Sequence, residues 1–318
     1  MIYQYQERSF RSRRRRSTFL RKFVKLTLLC LIAYGLITAS YSLLKTFSTN
    51  PITQKIISPI GRILPVSISS GLEKTVEDSL SGTSGTYSVA IKNLKTGEVY
   101  LRNEDRQYEA ASLYKLWVML TVYEQIERGV LSEDQELTAK AEELNDKFDI
   151  ATESAEMKEG EIKMTVRQAT NQMITISHNY AALLLASKVR LSNVKIQMDK
   201  YGLLSSSLNP PRTTASDILA FYEKLYKKEL VDAERSQQMI DLLKKQELND
   251  RIPRYLPDSV AVGHKTGEIG PFKHDGGIVF TENGDYIIVL MSESKDPKAA
   301  AEREAVISKA VYQYFQSK

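Results

Sequence analysis

The chain has 318 residues, 42% of them apolar and 26% charged, which excludes a wholly disordered or fibrous protein. One cysteine excludes an intrachain disulfide and any cysteine-based zinc or iron–sulfur site, and three histidines leave little for a metal centre, so neither metal nor cofactor is expected. The net charge of +5 is local: residues 1–25 hold nine Lys/Arg against the single acid Glu7, leaving the rest at −3, so a nucleic-acid-binding face is not expected.

That basic segment, 1–25, is followed by Leu26 to Leu44, 19 residues without a charge between Lys25 and Lys45. As a helix the run spans about 28 Å, close to the hydrocarbon thickness of a bilayer. Basic residues ahead of such a span predict a cytoplasmic tail, a single-pass signal-anchor at 26–44 in the cell membrane, and an extracytoplasmic remainder. A cleaved signal peptide is the alternative, but the apolar run is long for one and Ala39-Ser40-Tyr41 is a poor cleavage site. Residues 45–70 carry Pro51, Pro59 and Pro65 among Ser, Thr and Ile and read as a linker. The globular part is then 71–318.

Within it, Gly71 to Leu80 reads as a short helix with Leu72, Val76 and Leu80 on one face. Tyr87–Lys92 and Glu98–Arg102 alternate in polarity around Asn93–Gly97, a hairpin pattern. Residues 112–128 have helical apolar spacing and stop at Gly129, a C-cap signal. Residues 138–163 are charge-rich and read as surface helix and loop. Thr165-Val-Arg-Gln168 is a capping box opening a helix to about Thr175. Asn179 to Leu191 is apolar enough to be a buried helix; Asn209–Arg212 is a turn, and Thr214 to Lys227 a further helix. Strand patterns return at Val260–Gly267, Gly276–Thr281 and Tyr286–Ser292, with Asn283-Gly284 turning between the last two. Lys298 to Phe315 is a terminal amphipathic helix. Five strands split by a helical insertion at about 112–254 predict an α/β (α+β) domain: a five-stranded antiparallel sheet flanked by helices, plus an all-helical subdomain.

Chemistry concentrates at the head of the helix over 112–128. Ser112 and Lys115, three apart, share a helix face. A hydroxyl at a helix N-terminus meets free N–H groups that favour developing negative charge. A lysine kept from bulk water loses its proton more readily and can then take the serine's. The pair makes an activated nucleophile without histidine. The pattern S-x-x-K alone is weak, for it occurs also at Ser42, Ser192 and Ser292; likewise S-x-N occurs at Ser48, Ser177 and Ser207, and K-T-G at Lys95 and Lys265. Only one ordered series places S-x-x-K at the head of an apolar helix, S-x-N at a helix junction and K-T-G on a strand: Ser112/Lys115, Ser177/Asn179, Lys265-Thr266-Gly267.

That series resembles the serine penicillin-recognising family, the class A β-lactamases and D-Ala-D-Ala peptidases. The flanks match too: Glu109–Leu116 around the serine, Met173–Ala181 around the second motif, and Gly263–Glu268 with His274–Val279 around the third. The resemblance covers 71–318 and implies a β-lactamase/transpeptidase-like fold. It implies that Ser112 is acylated, that Lys115 is the base, and that Ser177 relays a proton to the leaving nitrogen. Asn179 would bind the substrate's amide side chain and brace Lys115; Lys265 and Thr266, with Gly267 beside them, would hold its carboxylate. The N–H groups of Ser112 and Glu268 would form an oxyanion hole.

Two departures stand out. The middle residue of the second motif is His178, where the family often has Asp; its side chain is expected to point away from the cleft. Residues 180–212 contain no glutamate, and their one acid is Asp199. The deacylating glutamate of class A β-lactamases is therefore missing, with Ser205 at its place in a shortened loop. Acylation is expected, with slow hydrolysis of β-lactams. A D-Ala-D-Ala carboxypeptidase acting on peptidoglycan peptides fits the same absence, and a non-catalytic cell-wall-binding relative is the third possibility. A Ser112–His274–Asp275 triad is not expected, because adjacent strand residues face opposite sides.

Overall fold

The computed structural model describes residues 70–318; the basic tail, the span 26–44 and nearly all of the linker lie outside the described residues. Among the described residues no helix is long and apolar enough to cross a membrane. In chain order the elements are α1 (Ser70–Leu80), β1 (Thr86–Asn93), β2 (Val99–Arg102), β3 (Tyr108–Glu109), a 3₁₀ turn (Ala111–Tyr114), α2 (Lys115–Glu127) and β4 (Glu136–Lys140). Then come α3 (Ala141–Lys147), β5 (Glu161–Thr165), α4 (Val166–Thr175), α5 (Asn179–Val189), α6 (Leu191–Lys200), β6 (Ser207–Leu208) and β7 (Pro211–Thr213). The chain closes with α7 (Ala215–Tyr226), α8 (Ala233–Leu243), β8 (Val262–Ile269), β9 (Phe272–Val279), β10 (Tyr286–Glu293) and α9 (Pro297–Gln316).

The five long strands form one antiparallel sheet in the order β2-β1-β10-β9-β8, which leaves β8 at an edge. Both faces are covered, so β10 is apolar from Tyr286 to Met291 while its side chains still alternate. Ile288 and Leu290 join Leu72, Val76, Ile307, Val311 and Phe315 under α1 and α9. Ile287, Val289 and Met291 join Ile218 and Phe221 of α7 and the large core of the helical insertion. That core contains Trp117, Leu116, Leu120, Met173, Leu185 and Val189, all fully buried.

The expected sheet and helical insertion are present, with differences in detail. The segment 138–163 holds the expected helix, α3, and loop, but its two ends are strands: β4 and β5 pair antiparallel on either side of them. The helical lobe also carries a second small sheet, in which β7 pairs with its neighbour β6 and, across about a hundred residues of sequence, with β3. Strands of two or three residues leave no periodic pattern to read. β8 runs to Ile269 and β9 begins at Phe272, so Gly270-Pro271 is a two-residue turn. Polar Lys273, His274 and Asp275 hid the start of β9. His274 and Asp275 are nonetheless fully buried, because cross-strand partners satisfy them.

Candidate active site

The nucleophile candidate sits on a sharp bend. Ala111 is left-handed at φ 46°, and Ser112 follows in the 3₁₀ turn that leads straight into α2. At the start of such a turn the Ser112 N–H has no carbonyl behind it to donate to. Its hydroxyl is half-buried and makes no hydrogen bond among the described residues. The turn rests on the sheet edge. A Cβ on Gly267 would lie 3.1 Å from the Ala110 carbonyl and 3.3 Å from the Leu113 nitrogen, so glycine lets β8 approach this closely without the turn giving way.

Which backbone groups of β8 face that turn follows from the register. Ile269 and Phe272 close a two-residue hairpin and form a hydrogen-bonded pair. At the far end the Phe280 N–H donates to the Ala261 carbonyl at 3.0 Å, in the same phase. Residues 265, 267 and 269 therefore spend their backbone bonds on β9, whereas Thr266 and Glu268 turn theirs to the open edge. The Glu268 N–H thus lies on the side where the Ser112 turn packs. The Thr266 carbonyl, on that edge, accepts from Lys265 Nζ at 2.9 Å.

Lys115, the first residue of α2, is completely buried. Its Nζ donates to the Ser177 carbonyl (2.6 Å), the Ser177 hydroxyl (3.1 Å) and Asn179 Oδ1 (2.7 Å). Lys265 Nζ donates to the same Ser177 hydroxyl at 3.0 Å. Both acceptor positions of that hydroxyl are then filled by amines, leaving its own proton free to point elsewhere. Burial lowers the Lys115 pKa to about 7 against a modest upward pull from Glu156. Burial and the charge on Lys115 push Lys265 well below the ordinary lysine range, while Asp275 opposes them. Two ammonium groups on one oxygen repel each other, and loss of the Lys115 proton removes that repulsion from Lys265.

Ser177 reaches both amines because the backbone there is left-handed, at φ 58°, in the tight link between α4 and α5. This presents its carbonyl and hydroxyl to the same side. His178 takes no part in the cleft: its Nδ1 accepts the Ala181 N–H at 3.1 Å and caps α5. An aspartate does the same work at an N-cap, which explains the exchange.

The other two histidines point to opposite sides of the sheet. His274 Nε2 donates to the Glu109 carbonyl (2.9 Å), and its Nδ1 accepts from the Ser292 N–H (3.3 Å). Burial lowers its pKa to about 4, so it is neutral and ties β9 to the lead-in of the Ser112 turn. His264 and Asp275 bond to each other at 2.9 Å, away from Ser112, and Asp275 also accepts the Ile252 N–H at 3.0 Å. Among the described residues no group of three or more His, Cys, Asp or Glu is arranged to hold a metal ion.

Two contributors have no sequence signal. Arg251, buried beneath β8, forms an ion pair with Glu268, which also pairs with Lys273 at 2.6 Å. Glu156, from the segment between α3 and β5, accepts from Asn179 Nδ2 at 2.5 Å. Neither lies near a motif in the chain.

Comparisons with known proteins bear on the fold and the family. A search of curated protein sequences finds no match. Among solved structures, the chain is similar to PBP-A, with a TM-score of 0.70 and 21% identity over 81% of this chain and 100% of that one. It is similar to a β-lactamase from Sphaerobacter thermophilus DSM 20745, with a TM-score of 0.68 and 23% identity over 78% and 98%. A mutant of PBP-A solved as an acyl-enzyme complex with penicillin G gives a TM-score of 0.68 and 20% identity over 80% and 100%. At these identities the likeness shows the fold. The profile of the Beta-lactamase enzyme family matches residues 71–315, and the chain therefore belongs to the Beta-lactamase enzyme family.

Proposed function

We propose that the chain is a membrane-anchored serine hydrolase that takes up β-lactams as an acyl-enzyme and releases them slowly. The observation that carries this reading is the Ser177 hydroxyl held by Lys115 at 3.1 Å and Lys265 at 3.0 Å, beside the turn that bears Ser112. In the proposed step, neutral Lys115 takes the Ser112 proton as the oxygen bonds to the lactam carbonyl carbon. The N–H groups of Ser112 and Glu268 hold the oxyanion. As the carbon–nitrogen bond breaks, the Ser177 hydroxyl gives its proton to the leaving nitrogen and is reprotonated by the Lys115 ammonium. Lys265 and Thr266 hold the substrate carboxylate, since an anionic substrate needs a cation opposite it.

One feature favours a second reading, a D-Ala-D-Ala carboxypeptidase acting on peptidoglycan peptides. Residues 180–212 offer no glutamate to activate the deacylating water, and their one acid, Asp199, is paired with Lys195. A peptidase of this fold has the same acylation chemistry. The uncharged run 26–44 behind the basic tail supports anchoring in the cell membrane with the catalytic part outside.

The test is the intact mass of the full chain after incubation with a labelled penicillin. One covalent adduct on wild type, absent in Ser112→Ala, is the expected outcome. Absence of an adduct with every β-lactam tried would sink the reading and favour a non-catalytic wall-binding role.

A further inference from the structure

On the helical lobe, away from the cleft, α2, α4 and α8 enclose an open groove of about 410 Å³. That lies within the range of ~300–1,000 Å³ typical of small-molecule sites. Tyr123 enters it eight residues along α2 from Lys115, and Asn171 enters it six residues before Ser177. About 10 Å of helix therefore separates the groove from the motifs on each element, and no motif residue lines it. Its floor is apolar: Val122, Val166 and Leu242 are buried and Ile126 is half-buried. Its rim is polar and carries both signs of charge. Arg167 is already paired with Glu133 at 2.8 Å and with Asp134 at 3.0 Å, while Asp241 and Lys245 add one charge of each sign on the α8 side. The Tyr123 hydroxyl and the Asn171 amide make no hydrogen bond among the described residues. Burial and the charge of Glu133 raise the Tyr123 pKa to about 12, so that hydroxyl stays protonated and can both donate and accept.

This lining selects among ligand classes. An anion would face Glu133 and Asp241, and a cation would face Arg167 and Lys245, so neither finds an unopposed partner. The walls are helices whose backbone groups are spent on one another, so no strand edge is offered to an extended peptide. The apolar floor is a narrow strip between polar walls, whereas an amphipathic helix needs an apolar groove along its whole face. What fits is an uncharged molecule with one C–H face and a perimeter of groups that both donate and accept. A pyranose ring has that form. We propose that the groove is a binding site for a neutral oligosaccharide, with Tyr123 and Ile126 against the C–H face of a sugar and the Asn171 amide bonded to its edge. An acetamido group suits Asn171 further, since two amides can exchange a donor and an acceptor.

The probe is the β-1,4-linked tetramer of N-acetylglucosamine, titrated against the full chain in a detergent without a sugar headgroup and followed by saturation-transfer difference NMR. Wild type is expected to bind. Asn171→Ala, at an exposed position on α4 where the fold does not depend on the side chain, is expected to weaken binding by about fivefold. Tyr123→Ala is expected to weaken it by about tenfold, with thermal unfolding to confirm that the variant folds. No binding by wild type, or an Asn171→Ala variant that binds as tightly as wild type, overturns the inference. Displacement of the tetramer by tripolyphosphate would reveal an anion site and overturn it as well. Ser112 takes no part in the measurement, so its outcome is independent of the acyl-enzyme reading.

Discussion

Lys115 illustrates how much a single position depends on its surroundings. The S-x-x-K spacing placed it near Ser112 in the sequence, but three other copies of that spacing carry no such meaning. Burial makes the difference, lowering its pKa to about 7 against the upward pull of Glu156, while three oxygen partners fix where the amine sits. Acylation needs the neutral amine, so its rate should rise with pH through about 7 and level off above; rapid-quench acylation from pH 5 to 9 checks this. Lys115→Arg keeps a cation but cannot give up its proton, and should slow acylation by about 10²–10⁴-fold. A flat profile would remove Lys115 as the base. His178 makes a complementary case, because its identity departs from the family pattern while its job is kept. His178→Ala should cost about 1 kcal/mol of stability through loss of the α5 cap, with His178→Asp close to wild type. Urea denaturation of the three proteins distinguishes these outcomes.

At the scale of elements, the site is assembled by the packing of a turn on a strand edge. β8 could be read from alternation, yet that it is an edge strand, and that its even-numbered backbone groups face Ser112, follow only from the hairpin register with β9. His274 secures this contact by joining β9 to the Glu109 carbonyl at 2.9 Å. Its pKa is lowered from 6.5 to about 4 by burial, so the folded protein refuses a proton that the unfolded chain accepts. The sign follows: the stabilisation is complete above pH 6.5 and is lost as pH falls toward about 4. Thermal unfolding across that range should show this loss, and His274→Gln, which can keep one donor and one acceptor, should flatten the dependence. An equal slope in both proteins would assign the acid sensitivity elsewhere. The β4–β5 ribbon, by contrast, was hidden in a charge-rich stretch, because its strands are exposed and their side chains read as surface.

For the molecule as a whole, the proposed acyl-enzyme directs attention to the loop after the second motif, where a deacylating base would stand. Residues 205–213 are strapped to the lead-in of the Ser112 turn: the Ala110 N–H donates to the Pro211 carbonyl at 2.9 Å. Ser206 Oγ donates to Asp217 Oδ2 at 2.7 Å, so the one buried carboxylate near this loop is already engaged. The adduct should therefore persist, with loss slower by about 10²–10⁴-fold than with a positioned base. A time course of intact mass after removal of free penicillin measures it, and rapid return to the unmodified mass would show that some other group activates water.

The amino-acid sequence alone determined the order of the long strands and of most of the helices, and the candidate reacting groups. These are local properties: hydrophobic period, turn chemistry and residue type act over a few neighbours. It also held the ordered motifs that mark the family. Tertiary structure decided what those groups can do. Ser177 lies 62 residues from Lys115 and 88 from Lys265, and only folding puts both amines on its hydroxyl. The buried Arg251 beneath β8 and the carboxylate of Glu156 on Asn179 belong to no local pattern at all. Proton affinity and charge recognition depend on what is excluded from water and what stands opposite, and those are set by contacts between distant parts of the chain.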